Sequence, residues 1–354
     1  MRPRLPRSSW GRFLATLPFL VGAIALLVWR APDWGLVADA FTLVSWRWVI
    51  AAIALNLLSV IARALAWKTV IDQALPAPQP PFRRVFSAFG VGLFANAVLP
   101  GRIGELARVA VLTQHMERKR EAGATLVGTV FAHRVFDLFP SLLLIGYVLI
   151  SANIPHWALT SLAVFVAVGI GLFAFAVASA RRGHRSVLEE VGQARQLITM
   201  ARYGLGVMRA PLPAVVAIFF QTIGWAFQLA AVWAVMRAFG IYEPLHAAAL
   251  VLLLMNIATL LPLWPGNIGL VQAAVALPLV SYGVAYSRGF AFGIGLQVIE
   301  VSVGVGVGLL FLAREGLSFA MLKTMPGADE VEDEMEAELA QAEEPVRARA
   351  GLSG

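Results

Sequence analysis

Two apolar stretches of this chain are each broken at a Pro-Gly pair, and the two breaks match. Ala95–Leu112 reads ANAVLPGRIGELARVAVL, and Asn256–Leu277 reads NIATLLPLWPGNIGLVQAAVAL. Their cores, PGRIG at Pro100–Gly104 and PGNIG at Pro265–Gly269, differ only where Arg102 stands against Asn267. Proline inside a helix removes a backbone hydrogen bond and clashes with the preceding turn. Each stretch is therefore expected to be two short helices joined at a turn. An arm shorter than the ~20 residues that cross hydrocarbon turns back instead of spanning, so both stretches are expected to be re-entrant hairpins.

Composition supplies the membrane. The chain is 59% hydrophobic and 14% charged, where a soluble domain carries ~25% charged residues. There is no cysteine, which removes disulfide and thiolate chemistry. The net charge of +7 is uneven, because acidic residues crowd beyond Pro326 against only Arg347 and Arg349. In a membrane chain, basic loops on one side explain such a balance better than a nucleic-acid partner does.

In order, residues 1–12 form a basic N-terminus, and Phe13–Trp29 is an apolar run without a clear small-residue cleavage site at its end. It reads as an uncleaved first span, not a signal peptide. Ala31–Trp46 is polar enough to lie at a surface, and Trp46 and Trp48 read as interface anchors. Further spans are expected at Val49–Ile71, Leu126–Ile150, Ala158–Ala178, Pro213–Val235 and Phe290–Leu312, with hairpins at 86–112 and 246–279. Residues 181–209 form a basic segment with helical apolar spacing, and residues 319–354 an acidic tail expected to be disordered.

The two halves, 13–151 and 152–318, each read span, span, hairpin, span. Three full spans is an odd number, so the second half should be inverted. RVFD at Arg134–Asp137 corresponds to QVIE at Gln297–Glu300, which extends the match beyond the hairpins. Inverted repeats with broken helices at mid-membrane are the pattern of secondary transporters. The arginine bias sets the orientation. Arg83, Arg84, Arg118, Arg120 and Arg314 flank one side with the basic segment, and Arg30, Arg47, Arg237 and Arg288 the other. Both termini are then cytoplasmic.

The hairpins carry the candidate site. Gly101 and Gly266 are expected in the first turns of the return helices, whose free N–H groups suit an anion. Arg102, Glu105 and Arg108 fall on one face of their helix. The plainer reading is that they neutralise one another or snorkel, Arg108 first. Asn96, Arg134, Asp137, Asn267 and Glu300 complete the candidate set. Arg134 and Asp137 can pair on one helix, whereas Glu300 needs a partner from another, with Arg63 the nearest by depth. Gln221, Gln228, Gln272 and Gln297 are expected to hydrogen-bond between helices. His133 is expected to be a satisfied buried histidine, with proton relay as the alternative. No metal spacing, Walker loop, HExxH or GxSxG is present in the sequence, so no cofactor, metal or enzymatic activity is expected.

The motif N-x3-P-G-R-x-G-E-x2-R (Asn96–Arg108), R-x2-D (Arg134, Asp137) and P-G-x-I-G (Pro265–Gly269) resemble the flippase-like membrane region of lysylphosphatidylglycerol synthases. That region is the N-terminal half of the multiple peptide resistance factor, and the resemblance covers about residues 10–318. It implies movement of a lipid, lysylphosphatidylglycerol in the fused proteins, from the inner to the outer leaflet of a bacterial cytoplasmic membrane. His133 stands where many members have Glu. Only the acidic stretch follows the last expected span, so an aminoacyl-transferase activity is not expected. Stand-alone members may move other phospholipids, polyprenyl-linked sugars or hopanoid-related lipids.

The expectation is thus an all-α polytopic membrane protein with six full transmembrane helices and two re-entrant hairpins in an inverted repeat. The function expected is translocation of a phosphate-bearing lipid. The alternative is a non-transporting scaffold that partners a lipid or glycan synthase through its acidic tail. A third class, an intramembrane enzyme acting on lipids, lacks a nucleophile–base constellation.

Overall fold

The computed structural model describes residues 32–98, 104–116, 119–152, 211–260 and 267–314, with isolated positions between 154 and 171. The expected first span, the basic segment at 181–209, the acidic tail and most of the span at 158–178 lie outside the described residues. So do Gly101, Arg102 and Gly266.

Every regular element among the described residues is a helix. α1 (Trp34–Thr42) is short, and Asp33 caps it by accepting from the N–H groups of Gly35 at 2.9 Å and Leu36 at 3.3 Å. Then follow α2 (Trp46–Ala74), α3 (Phe82–Val98), α4 (Gly104–Thr113) and α5 (Lys119–Ser151). The second part contains α6 (Pro211–Ala238), α7 (Leu245–Leu260), α8 (Leu270–Val280) and α9 (Tyr286–Arg314). Long, short, short, long therefore occurs twice in chain order.

Among the described residues, four helices are long and apolar enough to cross a membrane: α2, residues 125–151 of α5, α6 and α9. They contain the spans expected at 49–71, 126–150, 213–235 and 290–312. The short helices pack in pairs, α3 on α4 and α7 on α8. With 10 residues in α4 and ~1.5 Å of rise per residue, that arm reaches about half of the ~30 Å hydrocarbon layer.

α2 and α6 run antiparallel along most of their length. At one end the Ser45 N–H donates to the Ala238 carbonyl at 2.9 Å, and Trp48 meets Trp233 edge-on at 5.6 Å. At the other end Val70 packs with Ala217. In the middle, Gly224 lets the helices close: a Cβ there would stand 2.8 Å from Cγ of Arg63. The Ser59 hydroxyl donates to the Gly224 carbonyl at 2.7 Å, across 165 residues of sequence.

Two apolar cores result. One gathers α7 and α8 with the middle and end of α6, the start of α2 and the start of α9. The other gathers α3 and α4 with the second half of α2 and the end of α9. Trp46 is exposed and Trp48 partly so, as interface residues should be. Basic residues sort by end. Arg47, Arg237 and Arg288 lie where α2 starts, α6 ends and α9 starts, and Asp33 N–H there bonds the Ser287 hydroxyl at 3.1 Å. Arg83, Arg84 and Arg314 lie at the other end, where Phe86 meets Phe311 at 5.3 Å.

Candidate functional site

The two helices of the first hairpin, α3 and α4, meet at a point of backbone contact. A Cβ added to Gly92 of α3 would stand 2.8 Å from the Gly104 carbonyl oxygen, and one added to Gly104 would overlap the Gly92 carbonyl. Only glycine at both positions permits this approach. Asn96 uses the same proximity: its side-chain oxygen accepts from the Gly104 N–H at 2.9 Å. In the second hairpin the Gly269 N–H donates to Gln272 Oε1 at 2.6 Å. The Gly104 N–H at the start of α4 and the Gly269 N–H at the cap of α8 are thus each held by the chain's own side chain, not left open to an anion. Gly101, Arg102 and Gly266, on which the anion expectation rested most directly, lie outside the described residues.

Beside the first hairpin lies a cavity of about 290 Å³. Arg63 of α2, Glu105 and Arg108 of α4, Arg134 and Asp137 of α5, and Glu300 of α9 all line it. Asn96, His133 and Gln228 line it too. Six of the ten candidate residues are therefore brought to one place: Asn96, Glu105, Arg108, Arg134, Asp137 and Glu300. Asn267 is placed differently. It is buried, with a positive φ of 46°, and its side-chain amide donates to the Ala258 carbonyl at 2.9 Å. It ties the segment before α8 to α7 and is not among the cavity-lining residues.

The charges are chained. Arg108 is only 4% exposed, with Nη2 2.5 Å from Glu105 Oε2. Its guanidinium lies over Trp67 at 4.6 Å and Phe89 at 5.5 Å from the ring centroids. Of the plainer reading's two branches, neutralisation fits the Arg108–Glu105 pair and snorkelling of Arg108 does not: two aromatic faces and a carboxylate replace the water it would have sought. Glu105 Oε1 also pairs with Arg134 Nη2, and Arg134 Nη1 stands 3.5 Å from Asp137 Oδ2. Asp137 Oδ1 accepts from Gln221 of α6 and, at 2.9 Å, from the Trp225 indole N–H.

A second chain runs from α2 to α9. Arg63 donates to Gln228 Oε1, and Gln228 Nε2 donates to Glu300 Oε1 at 3.2 Å. Glu300 thus reaches Arg63 through an amide and not directly. Arg63 also lies over the Trp225 ring at 5.4 Å. The glutamines bond between helices as expected, Gln272 donating to Gln297 at 2.5 Å as well. His133 departs from expectation. It is 3% exposed, and its Nδ1 is buried without a hydrogen-bond partner. Nε of Arg63 and of Arg108 are likewise buried and unpartnered. Buried polar atoms are normally satisfied, which makes these three unusual. No group of three His, Cys, Asp or Glu side chains suited to a metal occurs among the described residues.

Sequence reasoning did not place Gln228, Asn56 or Ser59 in the site, and it treated Arg63 only as a partner for Glu300. A signal existed: Arg63 and Gln228 are 165 residues apart, the same offset that relates PGRIG to PGNIG.

A bundle of apolar helices around a cavity walled by paired arginines and carboxylates defines a multi-pass membrane protein with a polar site among its helices. The chain belongs to the family of the lysylphosphatidylglycerol synthase transmembrane region, whose model matches residues 15–308. That membership associates it with membrane lipids. No curated protein and no solved structure shows a significant match.

Proposed function

We propose that the protein is a lipid translocase, not an enzyme, moving a phosphate-bearing lipid between leaflets of a bacterial cytoplasmic membrane. The headgroup passes through the cavity beside the hairpins while the acyl chains stay in hydrocarbon. The cavity carries this reading: three guanidiniums and three carboxylates surround it on helices that are otherwise apolar. A charge at the bilayer centre costs ~2.5–3.5 kcal/mol on insertion scales, so such a cluster marks a solute path by default. A headgroup with both phosphate and amine, such as an aminoacyl phospholipid, can exchange partners with these ion pairs one for one. Arg102 and Arg108 bind the phosphate in this reading, and Glu105, Asp137 and Glu300 meet the amine or a proton.

The reading includes an inverted repeat with two re-entrant hairpins and six spans, the other two being 13–29 and 158–178, and with both termini cytoplasmic. The recurring element order, the antiparallel α2 and α6, and the sorting of arginines between the two ends support it.

The test is leaflet exchange of fluorescent phospholipids in vesicles holding the purified full-length protein. Wild type accelerates exchange over empty vesicles. Arg102→Ala slows it, and Arg102→Lys restores it only in part, because a guanidinium fork binds phosphate at two points and an ammonium at one. Exchange no faster than in empty vesicles for anionic, zwitterionic and aminoacyl lipids alike would remove the reading.

A further inference from the structure

Equivalent positions of the two halves meet between α2 and α6. Ser59 bonds Gly224, and Arg63 bonds Gln228, each pair 165 residues apart. Trp46 begins α2 and Pro211 begins α6, which is the same offset again. Two antiparallel helices that touch at their own equivalents are related by a two-fold axis through the contact. That axis passes beside Arg63 and Gln228, at the wall of the cavity. Asp137 and Glu300, equivalent through RVFD and QVIE, flank it on α5 and α9.

The symmetry is broken in a specific way. Asp137 accepts from Gln221 and Trp225 of α6. The counterpart of Gln221 is Asn56 of α2, and Asn56 lines the cavity with Glu300. Glu300 instead accepts from Gln228, whose counterpart is Arg63. Applying the two-fold to these contacts gives a second arrangement, in which Arg63 bonds Asp137 and Asn56 bonds Glu300. Arg63, Asp137, Asn56 and Glu300, the side chains of the second arrangement, already line one cavity, so reaching it needs no new residue.

We propose that Arg63 is one cation shared by Asp137 and Glu300: its hydrogen bond runs toward Glu300 through Gln228 in the arrangement described, and turns to Asp137 when the halves exchange conformations. This rests on the inverted-repeat translocase reading and assigns Arg63 as the residue that couples the two states. Its place on the axis follows from the broken symmetry, since one half supplies an arginine and the other an amide. A single charge can then serve two carboxylates in turn.

The swap variant tests this. Four full-length proteins are compared: wild type, Arg63→Gln, Gln228→Arg, and the double variant carrying both. Each also carries Ala97→Cys as its lone cysteine, since the native chain has none. Ala97 lines the cavity and its labelling by a membrane-impermeant maleimide reads the conformation independently of transport. Each single variant should slow leaflet exchange of a fluorescent phospholipid at least about tenfold, as loss of one member of a buried polar pair implies. The double variant places the arginine on the other side of the axis. It should recover exchange to within about threefold of wild type, a coupling that only a pairwise interaction produces, with its cysteine labelling shifted relative to wild type. A double variant that folds, by an unchanged melting profile, yet is as slow as Arg63→Gln and labels like it would overturn the inference. If wild type moves no lipid but the double variant still shifts the labelling, the shared cation stands and the translocase reading falls.

Discussion

The two hairpins share a backbone plan and differ in chemistry. In the first, α4 carries Glu105 and Arg108 into the cavity. The positions one repeat later in α8 are Leu270 and Ala273. The second hairpin is the packed one: from Ala247 to Met255 no residue exceeds 3% exposure. One hairpin is thus an anchor inside an apolar core, and the other is a wall of the polar site.

This comparison can be broken most forcefully at Arg108. Arg108→Ala leaves Glu105 buried with one partner fewer and empties the space over Trp67 and Phe89. Removing one partner of a buried ion pair costs about 3–5 kcal/mol. Thermal unfolding in detergent should show the loss, while Ala273→Ser in the second hairpin should show little.

Gly104→Ala comes next. Its methyl would overlap the Gly92 carbonyl, and overpacking of that kind costs about 3 kcal/mol. Gly269→Ala meets a different obstacle, a φ of 92°, with a backbone cost of about 1–2 kcal/mol. Melting temperatures that fall equally for the two would contradict the larger cost assigned to the Gly92–Gly104 contact.

The carboxylates sharpen the comparison functionally. Asp137 accepts from Gln221 and Trp225 and faces Arg134, whereas Glu300 accepts from Gln228. Glu300 is therefore the candidate for reversible protonation and Asp137 for a fixed charge. Lipid exchange measured against pH should lose its pH dependence in Glu300→Gln. An unchanged profile would assign Glu300 a structural role.

The smallest effect is expected at Asn96. Asn96→Ala removes the acceptor of the Gly104 N–H, and loss of such a cap costs about 1 kcal/mol. Chemical unfolding should register that change while leaflet exchange persists.

Much of the frame was legible because hydrophobic length and proline placement are local signals. The spans near Val49–Ile71, Leu126–Ile150, Pro213–Val235 and Phe290–Leu312 coincide with long helices, and both Pro-Gly breaks fall between paired short ones. α1 was missed as a helix, although Asp33 ahead of an apolar run is a capping signal. The environments of charges were less legible. Nothing near Arg108 in sequence announces Trp67 or Phe89, and only the fold brings those rings to it. His133 likewise owes its unpartnered Nδ1 to what packs around it. Arg63 was visible as a charge in a span, but its meaning depends on the residue it meets one repeat later.

The contact between Gly92 and Gly104 has a mechanical consequence. Where two arms touch backbone to backbone, no side chain lies between them to bend or change rotamer. Any tilt of α3 would therefore carry α4 with it at this contact. Glu105 and Arg108 ride on α4 together, so a small tilt would sweep both past α5 at once. The helix contact thereby couples the position of Glu105 to that of Arg108.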